Sequence, residues 1–178
     1  MAPLTLSSPI GDIQIVNEPM HSFGSADNSR AYRREHNLCD GSVRASYGII
    51  VDGDPIVVIG VDRAMPIHSH SALVWGDRLH IALGSRIACF SLNPFVMLRA
   101  VEADAVMCFG LHFSTAHSAL ICHGELQISR LSADGDILWQ AGGRDIFTGE
   151  FALRPACIEA RDFNNAAYRF RYEDGALI

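Results

Sequence analysis

Along most of this chain apolar residues come in short runs, and each run is cut by Gly, Asp or Asn. A helix needs about 10–12 residues of sustained 3.6-residue periodicity, and no stretch shows it. Short runs between turn residues specify antiparallel strands joined by hairpins. Tyr47 to Val51 and Ile56 to Val61 flank Asp52-Gly-Asp-Pro55. Ala72 to Trp75, Leu79 to Leu83 and Ile87 to Leu92 are separated by Gly76-Asp77 and Gly84-Ser85, dipeptides that supply positive φ for tight turns. Val96 to Val101, Ala105 to Phe113, Ala119 to His123, Glu125 to Leu131 and Ile137 to Ala141 continue the series. At the end Tyr168, Phe170 and Tyr172 alternate with Arg169 and Arg171, the pattern of a strand buried on one face.

The expected fold is one all-β domain over residues 1–178, an antiparallel meander of hairpins. Residues 43–178 form a repeated hairpin body, and residues 1–42 read as an irregular N-terminal segment. Within that segment 4–6 and 13–16 suggest two short strands, and Asn28 or Ser29 is placed to cap a short helix running through Leu38 to Gly41. An internal match strengthens the meander. HSALVWGDRLHI at 70–81 and HSALICHGELQI at 117–128 agree at six of twelve positions, 47 residues apart. That offset is near the length of a four-stranded propeller blade. Propeller-like blades and a two-sheet sandwich both accommodate such a duplication.

Leu131-Ser-Ala-Asp-Gly-Asp-Ile-Leu-Trp139 resembles the outer hairpin of quinoprotein-type β-propeller blades, in which an Asp-Gly turn leads into a strand ending in tryptophan. Trp75 to Phe90 resembles a second hairpin of such blades. The resemblance covers residues 71–92 and 118–141 and implies a local blade shape. No functional residue of the quinoprotein enzymes maps onto this chain, so it implies no quinone and no activity.

Composition narrows the chemistry. All 14 basic side chains are arginine, against 20 acids, for a net charge of −6. Without lysine there is no Schiff-base, P-loop or kinase-type amine. An acidic chain with scattered arginines has no basic stripe for nucleic acid, and the apolar runs are far short of the ~18 residues of a spanning helix. The first residues lack the charged and apolar regions of a secretion signal. Five cysteines (Cys39, Cys89, Cys108, Cys122, Cys157) with no CxxC spacing fit reduced core thiols, and a cytoplasmic location is expected. Cys122 and His123 are adjacent, so on a strand they diverge and form no nucleophile–base pair.

Eight histidines remain. His68-Ser-His70 puts two imidazoles on one face of a strand, and His117 and His123 share parity further on; these four are the candidate metal ligands. The competing reading has the repeated histidine bonding a backbone carbonyl at a corner of the fold. Tyr32, Arg33, Arg34 and His36 form the candidate interaction surface. Trp75, Trp139, Phe109, Phe113, Tyr168 and Phe170 line either a core or a ligand pocket. No Gly-x-Ser-x-Gly, Gly-x-Gly-x-x-Gly or His-Glu-x-x-His motif occurs. The expected function is therefore a non-catalytic binding domain without a cofactor, one concrete form being an immunity-type protein inhibitor. A metal-dependent enzyme using the histidines and a divalent ion, and a small-ligand sensor with an aromatic pocket, are the alternatives. The expected partner is a protein or a small ligand, with neither nucleic acid nor membrane; a homo-oligomer is left open.

Overall fold

The computed structural model describes residues 3–39 and 41–178. These residues form strands, turns and loops, with no helix among them, and none is therefore long and apolar enough to cross a membrane. Four sheets follow one another along the chain. The first contains β1 (Leu4–Ser8), β2 (Gly11–Asn17), β4 (Ala45–Val51) and β5 (Asp54–Val61), with β3 (Arg34–Asn37) added beside β5. The second is the meander β6 (Ala72–Trp75), β7 (Arg78–Leu83), β8 (Arg86–Leu92), β9 (Phe95–Glu102). The third is β10 (Cys108–Ser114), β11 (Ala119–Gly124), β12 (Gln127–Leu131), β13 (Ile137–Gly142). The fourth has β14 (Phe151–Leu153), β15 (Ile158–Arg161) and β16 (Ala167–Phe170), extended by a bridge from Phe170 to Leu177. Of the two arrangements expected, the blade-like one is found: four sheets stand face to face rather than two.

Three apolar cores hold the sheets together. Ile13, Ile49 and Ile59 of the first sheet meet Leu79, Ile81 and Phe90 of the second. Ala82 and Ile87 meet Leu111, Leu120 and Cys122. Ile121 and Ile128 meet Phe147, Ile158, Phe170 and Tyr172. Removing these aliphatic and aromatic surfaces from water is the main stabilising term, about 1.5–3 kcal/mol for each large side chain. Polar links reinforce the seams. The Trp139 indole N–H donates to Tyr172 O at 2.8 Å, and Arg99 pairs with Asp136 across the second seam.

Turn backbones repeat one relationship between successive sheets. Cys108 N–H donates to Gly84 O at 2.7 Å, and Phe147 N–H donates to Glu125 O at 2.6 Å. Each bond ties the approach to one sheet onto the β7–β8 or β11–β12 turn of the sheet before. Where β7–β8 closes tightly through Gly84 at φ 63°, the β11–β12 turn is wider. There the fully buried Asp104 accepts from the N–H groups of Leu126 and Gln127 at 2.7 and 2.8 Å, and from Val106 and Met107 at 2.7 and 3.0 Å.

Two sequence expectations need correction. The segment 1–42 is not irregular: it supplies three strands, two of them at the expected places. The helix expected over 28–38 is absent. Asn28 turns its side chain back to Ser22 and Ser25, with Nδ2 donating to both carbonyls and Oδ1 accepting from Ser22 N–H, instead of capping forward. Residues 34–37 then pair in parallel with the open edge of β5. The preceding loop lies on the outer face of the first sheet, with Tyr32 over Gly48 and Phe23 over Gly60, where a Cβ would leave no room.

The 47-residue match also changes meaning. Its first copy falls on β6 and β7, the first two strands of their sheet; its second falls on β11 and β12, the second and third of theirs. Leu79 is buried while its counterpart Leu126 is exposed. The structural step is shorter: Arg78 opens β7, and Ala119, 41 residues on, opens the equivalent β11.

Candidate functional site

The first strands of the second, third and fourth sheets border an open cavity of about 410 Å3, lined by His70, Leu73, His112, Phe113, Phe151 and Leu153 among others. The loop before β6 sets its rim. His68 N–H donates to Ser71 Oγ at 2.9 Å, Ser71 N–H returns to His68 O at 3.0 Å, and His70 N–H donates to His68 Nδ1 at 3.2 Å. Leu111 N–H then donates to His70 O at 2.8 Å, fastening this loop to β10. The fastening needs glycine at 110, because a Cβ there would sit 2.7 Å from His70 Cβ.

The walls are rings. His70 and His112 stack at 4.2 Å between centroids, 27° between planes. Phe151 stacks on His123 at 4.5 Å and 10°, and lies 4.6 Å from His112. His68 follows His70 at 6.2 Å. Burial pushes the His112 imidazole down to about 3, helped by the neighbouring His70, His123 and His68. Burial also lowers His123 to about 4, against the opposing pull of the Phe147 carbonyl, 3.2 Å from Nε2. Both rings are neutral at pH 7, and a base this weak is far from the value that favours general-base catalysis.

Three of the four histidines singled out by spacing therefore lie along one ring row, with His112, which spacing missed, at its centre. No local spacing marks His112: it faces Ile121 across the β10–β11 ladder, on the same face as His123, and meets His70 only where the loop before β6 docks on β10. His117 lies elsewhere, stacked on Tyr172 at 3.8 Å with Nε2 2.8 Å from Pro155 O. The carbonyl-bonded corner is thus realised at His117, while His70, its match in the repeat, lines the cavity. Stacked imidazoles aim their in-plane lone pairs side by side rather than at one point, and no group of three or more His, Cys, Asp or Glu with metal-holding geometry occurs among the described residues. Cys122 and His123 diverge as expected, Cys122 into the second core and His123 toward Phe151. His80, fully buried opposite Cys89, is lowered to about 4 by burial, and the Cys89 thiol is raised to about 11 by burial, so this pair forms no thiolate–imidazolium couple.

The residues of the candidate interaction surface separate. Tyr32 donates to Glu18 Oε1 at 2.7 Å and is half-buried. Arg33 pairs with Asp54 at the surface, and Arg34 reaches Phe95 O at 2.5 Å. His36 is half-buried and meets Phe90 edge-on at 6.4 Å. Of the aromatic residues, Phe113 lines the cavity, whereas Trp139, Tyr168 and Phe170 pack in the third core.

No protein-family model matches the chain, and no curated protein matches it at a significant level. Among solved structures, BamB from Moraxella catarrhalis, a β-propeller protein, aligns over 98% of this chain at 13% identity and a TM-score of 0.52. The fold is propeller-like. This chain spans 62% of the length of that BamB chain, and at such identity the likeness speaks for the fold alone. Glutaminyl cyclase from Myxococcus xanthus, also a propeller, aligns over 80% of this chain and 67% of its own, at 10% identity and a TM-score of 0.36.

Proposed function

We propose that the protein is a non-catalytic binding domain that seats a small, planar, uncharged ligand in the cavity between β6, β10 and β14. The observation that carries this reading is the stack of His70 on His112 beside Phe151 in the cavity wall. The rings of Phe113, Phe151 and the neutral His112, with Leu73 and Leu153, favour a flat apolar body, and the exposed edge of His70 at the rim offers hydrogen bonding. No carboxylate lines the cavity among the described residues, which leaves the weak His112 imidazole without the acid that would orient it for catalysis. The blade hairpins at 71–92 and 118–141 that resemble quinoprotein-type blades contribute shape to this reading and no redox chemistry.

The test uses indole as the probe and 15N-labelled histidine NMR on the full chain. The expected result is a saturable shift of the His70 and His112 signals, weakened by about tenfold or more in Phe151→Ala, with His117 unmoved. Shifts spread over all eight histidines, or equal binding by Phe151→Ala, would overturn the reading.

A further inference from the structure

Most arginines of this chain are already engaged. Arg33, Arg78, Arg99, Arg154, Arg169 and Arg171 pair with carboxylates. Arg44 and Arg63 are different: among the described residues neither guanidinium bonds another side chain. In a chain with 20 acids and 14 arginines, two unpaired guanidiniums in one hollow call for a reason.

That hollow, about 570 Å3, lies where β5 ends and where β4 and β8 begin. Arg44, Asp62, Arg63 and Arg86 line it, with Leu38 and Ser42. Its frame is hydrogen-bonded backbone: Arg44 N–H donates to Val61 O at 2.8 Å, and Leu38 N–H to Gly60 O at 2.9 Å. The Arg63 stem packs over the Gly84 turn, so its base is fixed against the second sheet. Arg86 also lines the hollow but has a partner of its own, so it offers no free fork. Asp62, the carboxylate among the described lining residues, bonds neither Arg44 nor Arg63. With Arg86 engaged in an interaction of its own, Arg44 and Arg63 against Asp62 leave the described lining residues with an excess of positive charge.

We infer that this hollow is a second binding site, for a small oxyanion, in which Arg44 and Arg63 each present a guanidinium fork to a phosphate or carboxylate group. Guanidinium geometry matches two oxygens at once, so a ligand with a flat or tetrahedral set of anionic oxygens gains over chloride. The site is at the seam of the first and second sheets, away from the ring-lined cavity, and does not depend on that cavity being a ligand seat.

Calorimetric titration of the full chain with inorganic phosphate, and in a separate arm with acetate, each against sodium chloride at matched ionic strength, tests this. Saturable binding of either oxyanion supports the site, and the arm that saturates names its group. Arg44→Gln with Arg63→Gln is expected to weaken that binding by about tenfold or more, the worth of one charge-assisted hydrogen bond. Arg144→Gln, which removes another arginine that bonds no side chain among the described residues, is expected to leave it unchanged. Thermal melts confirm that the variants fold. Heat no greater than with chloride, retained binding in the double variant, or equal loss in Arg144→Gln would each overturn the proposal and leave an adventitious ion only.

Discussion

His117 lies flat on Tyr172, 3.8 Å between ring centroids and 12° between planes, while its Nε2 meets Pro155 O at 2.8 Å. The pair joins the turn before β11 to the C-terminal segment of the fourth sheet. His117→Ala removes a ring stack and a hydrogen bond, and is expected to cost about 1–3 kcal/mol in urea unfolding at pH 7. Indole binding in the cavity should be unchanged, since His117 takes no part in its walls.

Acidification should destabilise the fold well before most carboxylates titrate. His80 and His123 lie near 4 and His112 near 3 in the folded chain, against about 6.5 for an ordinary imidazole. Below about pH 6 the unfolded chain takes up protons that the folded chain refuses. Stability is therefore full above about pH 6.5 and lost as pH falls toward 4, by roughly 1.4 kcal/mol per pH unit for each of the three groups. Urea midpoints at pH 7.5, 6 and 5 check the sign. His112→Phe keeps a ring in the stack and should reduce the slope by about one proton.

The buried carboxylate of Asp104 holds four backbone N–H groups from two loops. Asp104→Asn leaves a single accepting oxygen and sets an amide N–H2 against backbone donors. The expected loss is about 3 kcal/mol or more, because buried donors lose their partners. Faster amide exchange at Leu126 and Gln127, measured against Ile128 in β12, would locate the damage; uniform protection across the β11–β12 turn would contradict this account.

Gly110→Ala would place a methyl group 2.7 Å from His70 Cβ. The loop before β6 must retreat from β10, breaking the bond from Leu111 N–H to His70 O and separating His70 from His112. A destabilisation of about 1–3 kcal/mol, of the kind seen on overfilling a packed site, should accompany weaker indole binding. An unchanged His70 NMR signal would show that the stack does not depend on this close approach.

Hairpins, and the burial of Phe170 and Tyr172 beside exposed Arg169, are legible in the sequence because alternation and turn residues act locally. A hairpin's sequence does not say which strands of its sheet it joins, which is why residues 70–81 match 117–128 without occupying equivalent places. β3 escapes notice because Arg-Glu-His-Asn carries no apolar alternation; its strand form depends on the edge of β5, distant in sequence. The ring row is half legible. His68, His70 and His123 are marked by spacing, but they meet His112 and Phe151 only through the pairing of β10 with β11 and the docking of β14.

Each core joins neighbouring sheets, and among the described residues none joins the fourth sheet back to the first. The first and fourth sheets differ: a folded loop covers the first, while Arg154, Arg169 and Glu159 form an ion-pair lattice on the fourth. Cooperativity in such a series passes from neighbour to neighbour, as in a one-dimensional array. Unfolding should accordingly begin as fraying from the shorter, three-stranded terminus and advance inward one seam at a time.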